Sequence, residues 1–209
     1  MKIGILGAGN VGGALGAGWA KRGHQIVFGV RDRDAPDMLE LLRRCDGHAK
    51  AGSPSDAAAF GGVIVNALPW EAAKALLPTL DLRSKILLDA TNPLLPGLAG
   101  MEVGTTTSGA ELVSQWAPGS RVVKIFNTTG FNNMSDPLYH GEPIPMLYCG
   151  DDQDAKATAA ALAAALGFAP VDAGPLTNAR LLEPAALLWI WLANKGGLSR
   201  NFAFHIVTR

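Results

Sequence analysis

The hexapeptide Gly7-Ala8-Gly9-Asn10-Val11-Gly12 stands where a short apolar run, Lys2–Leu6, gives way to a segment of helical composition, Val11–Lys21. Glycine serves a different need at each of its three motif positions. Gly7 allows a tight turn, Gly9 lets backbone approach a pyrophosphate, and Gly12 lets helix pack close against strand. The helix that follows presents unpaired N–H groups and the positive end of its dipole to an anion. A strand before the turn, a helix after it and a second strand at Gln25–Phe28 form the context in which such a loop holds a dinucleotide. Further glycines at 13, 16 and 18 weaken that helix intrinsically, so packing must hold it.

The end of the second strand bears on which dinucleotide is bound. An acidic residue about 20 positions beyond the motif accepts from the ribose hydroxyls of NAD. Here the chain runs Val27-Phe28-Gly29-Val30 and then Arg31-Asp32-Arg33. The guanidinium of Arg31, helped by Arg33, matches the oxygens of a 2′-phosphate and favours NADP. A one-residue slip would make Asp32 the NAD-type acid, so NAD stays open.

Three further strand ends carry small, amide and hydroxyl residues: Asn66-Ala67-Leu68-Pro69-Trp70, Asp89-Ala90-Thr91-Asn92-Pro93 and Asn127-Thr128-Thr129-Gly130. In an open parallel sheet, ligands sit beyond the carboxyl ends of the strands. Asn66, Ala67, Leu68, Pro69, Asn92, Asn127 and Thr128 are therefore the expected contacts to ribose and carboxamide, although such residues also make ordinary turns. Ser108-Gly109-Ala110-Glu111 fits a helix cap better than a nucleophilic serine. No Ser-His-Asp order, paired carboxylates or Tyr-x-x-x-Lys dyad stands at a plausible position, and Tyr139 and Tyr148 lie outside the strand ends. No catalytic residue is assigned. Carbonyl reduction normally uses a general acid. Hydride transfer between two rings needs mainly alignment and exclusion of water, which suits this set better.

Strand-like runs alternate with helical segments along most of the chain, predicting an α/β, Rossmann-type doubly wound and mostly parallel sheet with a C-terminal helical appendage. Strands are expected at Lys2–Leu6, Gln25–Phe28, Val63–Asn66, Lys85–Leu88, Arg121–Phe126, Met146–Cys149 and around Ala169–Asp172. Helices are expected at Val11–Lys21, Pro36–Arg44, Glu71–Leu77, Ala110–Trp116 and Asp154–Leu166, with a loop from Asn92 to Gly104. Residues 1–175 form the expected dinucleotide-binding domain and 176–209 the helical extension. That extension reads as one long helix from Asn178 to about Ser199, apolar nearly all round. It either caps the sheet or meets a second copy in a homodimer.

Lys plus Arg and Asp plus Glu number 18 each in 209 residues, a net charge of zero that gives nucleic acid no electrostatic footprint. Cys45 and Cys149 stand in no metal or redox spacing and read as reduced thiols. His24, His48, His140 and His205 are scattered, so no metal site is expected. The stretch Ile3–Ala20 carries motif glycines and Asn10 rather than a signal core, and Ala185–Ala193 is too short to span a bilayer. A cytoplasmic protein without a membrane partner is expected.

These motifs together resemble the F420-dependent NADP oxidoreductase family, to which the cytosolic domains of the transmembrane ferric reductases are also similar. The resemblance rests on GAGNVG at 7–12, VFGVRD at 27–32, NALPWEA at 66–72, VKIFNT at 123–128, CGDD at 149–152 and DAGPLTNARLLEP at 172–184, nearly the whole chain. The last two are the more specific, having no reason to occur in Rossmann domains generally. The resemblance implies NADP on the Gly-rich loop and a deazaflavin or flavin ring stacked on the nicotinamide, with no separate substrate domain. It implies phosphate contacts at Asn10, Val11 and Arg31 and nicotinamide-side contacts near Leu68, Pro69 and Asn127. Two positions depart from the pattern. Val30 replaces the family's Ser before the Arg, leaving Arg31 to carry the 2′-phosphate preference. Asn127-Thr128 replaces the His-Thr of the archaeal F420 enzymes and resembles the ferric-reductase branch. The expected activity is hydride transfer between NADP(H) and F420 or a flavin such as FMN or FAD. An imine or carbonyl reductase of a small substrate, and a non-catalytic NADP(H)-binding sensor or regulatory protein, remain as alternatives.

Overall fold

The computed structural model describes residues 1–209. Its first half alternates strand and helix: β1 (Lys2–Leu6), α1 (Asn10–Ala20), β2 (Gln25–Gly29), α2 (Pro36–Arg43), β3 (Ala49–Gly52), α3 (Pro54–Phe60), β4 (Val63–Asn66), α4 (Trp70–Leu76) and β5 (Ile86–Asp89). There follow α5 (Gly109–Trp116), β6 (Arg121–Lys124), α6 (Phe131–Ser135), a small hairpin of β7 (Leu138–Tyr139) and β8 (Glu142–Pro143), β9 (Pro145–Gly150), α7 (Gln153–Leu166), β10 (Ala169–Asp172) and α8 (Ala179–Asn194).

The main sheet has the order β10-β9-β6-β5-β4-β1-β2-β3. All neighbours are parallel except β6 and β9, which pair antiparallel. Strands β3 to β6 follow the doubly wound Rossmann order, and the direction of winding reverses beside β1, where such folds bind dinucleotides. Strands β4 and β5, buried at every position, read as continuous apolar runs because helices cover both faces.

Alternate residues feed two cores. Ile3, Ile5, Val63, Val65, Ile86 and Leu88 meet α1 and α7 on one face. Ile64, Leu87 and Val122 face the other, where Leu176, Ala179 and Leu182 tie the start of α8 into the same core as α5. Leu181, Leu188 and Trp191 of α8 point outward and are exposed.

The structure differs from the sequence expectation at β3 and α3, which lie between the expected second and third strands. The strand at Val63–Asn66 is therefore the fourth. β3 is Ala49-Lys50-Ala51-Gly52 and lacks the apolar or β-branched run that marks a strand. β6 stops at Lys124 rather than Phe126, because Phe126 takes a positive φ of 64° and turns the chain out of the sheet. α8 stops at Asn194, short of Ser199, where Gly196 and Gly197 follow it. Ser108 acts as a cap: its Oγ accepts from Glu111 N at 3.2 Å and donates to Glu111 Oε2 at 2.7 Å.

Candidate functional site

The Gly-rich loop joins β1 to α1 at the winding reversal. Gly7 has φ +95°, and a Cβ there would lie 2.9 Å from Ala67 O. A Cβ on Gly12 would lie 2.1 Å from Gly7 O, so no side chain fits between the loop and the first turn of α1. Gly9 is different: nothing lies within 4 Å of the direction its Cβ would take. The open space above Gly9 adjoins the N–H groups of Asn10, Val11 and Gly12, which precede the first intrahelical hydrogen bond, from Gly13 N to Gly9 O at 2.7 Å. These features fit a bound pyrophosphate.

Three clefts meet at this loop: one of about 430 Å³ between α1, α2 and α6, and two that follow the strand ends. The larger, of about 760 Å³, runs between the ends of β1, β2 and β4 and is lined by Gly7–Val11, Gly29–Arg31, Pro54, Ala67–Pro69 and the outer face of α4. Arg31 lines it, is exposed and has no carboxylate partner. Arg33 does not line it, because its guanidinium donates to Asp56 Oδ2 at 3.2 Å, next to the cap of α3. Asp32 accepts from Asp34 N at 3.0 Å in a local turn.

The second cleft, of about 190 Å³, lies past the ends of β5 and β6 and is lined by Ala90, Asn92, Phe126, Asn127, Thr129–Phe131 and, from the C-terminal region, Trp189, Ile190, Asn194 and Arg200. Val11 lines both clefts. Asn127 Nδ2 donates to Asn92 Oδ1 at 3.2 Å and to Leu182 O at 3.3 Å, while Asn92 Nδ2 donates back to Asn127 O at 3.3 Å. Asn127 Oδ1 is buried without a hydrogen-bond partner. A buried acceptor of this kind is costly unless something donates to it.

Beneath this cleft lies a charged cluster. Register places Asn66 beside Asp89 and Asp89 beside Lys124 at the ends of adjacent strands, all on the α8 side of the sheet. Lys124 Nζ sits 2.8 Å from Asp89 Oδ2 and 2.9 Å from Glu183 Oε1, with all three side chains at most 1% exposed. Asn66 Nδ2 and Thr91 Oγ1 donate to Asp89 Oδ1 at 2.9 and 2.8 Å. Gly109 N and Ala110 N, at the start of α5, donate to Glu183 at 2.8 and 3.0 Å. Burial works against the Lys124 ammonium, but the two carboxylates outweigh it and hold its pKa above the ordinary lysine value. The cluster fastens α8 and α5 to the strand ends that carry Asn92 and Asn127. It is closed to solvent, so it positions groups rather than reacting.

Residues 2–93 match the family described as NADP oxidoreductase, coenzyme F420-dependent. An F420-dependent NADP reductase of Methanothermobacter thermautotrophicus is 30% identical over 207 residues, covering 91% of this chain and 88% of that protein. This chain belongs to the F420-dependent NADP reductase family. A solved structure from Arthrobacter sp. FB24, described as a candidate member of the same family, superposes over 100% of both chains with a TM-score of 0.86 at 30% identity. Metalloreductase STEAP3 of Rattus norvegicus is 30% identical over 194 residues, which cover 91% of this chain but 38% of that protein. An imine reductase of Aspergillus terreus shares the fold, with a TM-score of 0.68 at 19% identity over 93% of this chain and 63% of its own. The chain is thus an NADP-dependent oxidoreductase by family.

Against that family frame, the structure gathers Gly7, Gly9, Asn10, Val11, Arg31, Ala67, Leu68 and Pro69 around the larger cleft, and Val11, Asn92 and Asn127 around the smaller one. Gly12 packs under the loop. Asn66 is fully buried and serves the charged cluster. Thr128 is buried and lines a minor crevice under the C-terminal segment instead. Trp189, Ile190, Asn194 and Arg200 also line the smaller cleft without any local sequence signal, since they lie some 60 residues or more from Asn127 and reach it only by folding back. The Lys124 cluster has one sequence signal, a charged residue inside the apolar run Val122-Val123-Lys124-Ile125-Phe126. No helix is long and apolar enough to cross a membrane, and no group of His, Cys, Asp and Glu is arranged to hold a metal. Both cysteines are free and buried, and burial pushes the Cys149 thiol up to about 12.

Proposed function

We propose that the chain transfers hydride between NADP(H) and a ring acceptor, the deazaflavin F420 or a flavin such as FMN or FAD. The observation that carries this reading is the pair of clefts joined at Val11, one ending in the unpaired Arg31 and the other in an aromatic and amide-lined recess at Asn127. Arg31 would take the 2′-phosphate, the N–H groups of Asn10 and Val11 the pyrophosphate, and Asn127 Oδ1 the carboxamide. Gly7, Ala67, Leu68 and Pro69 shape the passage between them. When bound, NADPH supplies a hydride, and the acceptor ring completes its two-electron uptake with a proton from water. The residues of this chain align the rings and exclude solvent.

The recess holds no carboxyl, imidazole, phenol or amine among its lining side chains. That favours ring-to-ring transfer over reduction of a small imine or carbonyl, which would use an acid here. The exposed stripe Leu181, Leu188 and Trp191 is offered as the contact with a second copy in a homodimer. Light scattering on Trp191→Asp should then shift toward monomer.

The direct test is anaerobic oxidation of NADPH followed by absorbance, with F420, FMN and FAD in turn and NADH as control. Rapid loss with one acceptor supports the reading and names the partner. NADPH binding without oxidation by any of them would turn it toward a small-molecule reductase or a nucleotide sensor.

A further inference from the structure

Arg200 supplies the recess at Asn127 with its one charged lining side chain, and no acidic residue accompanies it there. The backbone around it is tied down at several points. Arg200 O accepts from Asn132 Nδ2 at 2.7 Å, and Phe202 O accepts from both Asn133 Nδ2 at 2.9 Å and Trp189 Nε1 at 3.1 Å. The Phe202 ring stacks on Trp189 with centroids 5.0 Å apart and planes 13° from parallel. The guanidinium lies 5.7 Å over the Phe131 ring and donates to Asn194 Oδ1 at 3.2 Å, with no carboxylate partner. Most of its five N–H donors are therefore free at the mouth of the recess. Deeper in, Asn127 Oδ1 is buried and unpartnered. The recess thus offers an apolar and aromatic interior, one buried acceptor and one cation held at its rim.

We propose that Arg200 recognises an anionic group on the ring acceptor, so that the preferred acceptor is a planar ring compound bearing a phosphate or carboxylate on its side chain. This rests on the ring-acceptor reading above. A guanidinium pairs with phosphate or carboxylate through two parallel hydrogen bonds, which a neutral hydroxylated side chain cannot supply. Both FMN and F420 carry such groups, while riboflavin and the tail-less deazaflavin chromophore of F420 have the same rings without them.

The test titrates the NADP⁺-loaded protein with FMN and riboflavin, and separately with F420 and its tail-less chromophore, by ligand fluorescence. Turnover of NADPH is measured with the same four compounds. Within the pair that is turned over, the anionic compound should bind about tenfold more tightly and show a kcat/KM higher by a similar factor. Arg200→Ala should bring both ratios to about one and Arg200→Lys should keep part of the preference. Raised salt should shrink the ratios in the native protein. Equal binding of charged and uncharged rings by the native protein, or a preference that survives Arg200→Ala, overturns the assignment while leaving hydride transfer standing. A matching loss of NADP⁺ affinity in Arg200→Ala overturns it as well, since the arginine would then serve the nucleotide. Absence of turnover with all four rings overturns the ring-acceptor reading and this assignment with it.

Discussion

The two ends of the groove are built in opposite ways. The Arg31 end is built mainly from the turns that directly follow three strands: the glycines after β1, the end of β2 and the loop after β4. Its polar groups are backbone N–H and one free guanidinium, and it is open to water. The Asn127 end is assembled from the ends of β5 and β6, from α8 and from the segment after it, all resting on the buried cluster of Lys124, Asp89 and Glu183. The first end is open, so a ligand can reach it directly. The second must be held together by desolvated charge before it can align anything.

The largest effect should come from breaking that support. Lys124→Met leaves two carboxylates buried without their cation, which typically costs about 3–5 kcal/mol. At about 2–4 °C per kcal/mol for a chain of this size, thermal unfolding should begin roughly 10 °C lower. A loss below about 1 kcal/mol would mean the cluster is not what holds α8 in place. Gly9→Val should do the reverse. A Cβ at this position meets no protein atom within 4 Å, so unfolding should be nearly unchanged while NADPH and NADH affinity each fall by about a hundredfold or more, the scale of several lost charge-assisted hydrogen bonds. Unaltered nucleotide affinity would remove the loop from the site. Arg31→Ala should weaken NADPH by about tenfold and leave NADH largely unaffected; equal weakening of both would refute a 2′-phosphate role.

The smallest effect concerns the outer edge of the Asn127 end. Arg180 donates to Glu111 at 2.6 and 2.9 Å, and with help from Ser108 it holds the Glu111 carboxyl below its ordinary pKa. A carboxyl depressed in the folded state adds stability above its unfolded pKa of about 4.3 and loses it as pH falls through the folded value. The native protein should therefore lose stability on acidification below about pH 4.3 more steeply than Glu111→Gln, as read by denaturant midpoints at stepped pH. Parallel curves would show that the pair contributes nothing.

What the sequence made legible follows the same division. GAGNVG announces its strand, turn and helix by its spacing alone, although only Gly12 meets a local atom, Gly7 O; a Cβ on Gly7 would meet Ala67 O, 60 residues on, and one on Gly9 would meet nothing. The sheet was legible from apolar runs such as Val63–Asn66, but β3 was not, since Ala49-Lys50-Ala51-Gly52 has no strand-like residues and forms only by pairing with β2. α3 left a trace in Ser53-Pro54-Ser55-Asp56, whose Ser and Asp complete a capping box. Arg33 reads in sequence as a helper to Arg31; the approach of Asp56, 23 positions on, takes it away from the cleft. Asn127 is legible as a recess-lining residue because it follows a strand, whereas Trp189 and Arg200 are not, because nothing local says where the segment after α8 will lie. The charged cluster depends on a register across β4, β5 and β6 that no single segment encodes.

The most direct measurement of hydride transfer uses NADPH deuterated at the nicotinamide C4, mixed without oxygen with the protein and either F420 or 5-deaza-FMN, whose C5 keeps a hydride once it arrives. The account predicts deuterium on C5 of a reduced deazaflavin ring. Oxidation of NADPH with C5 taking hydrogen from water instead, or no oxidation although NADPH binds, would contradict it.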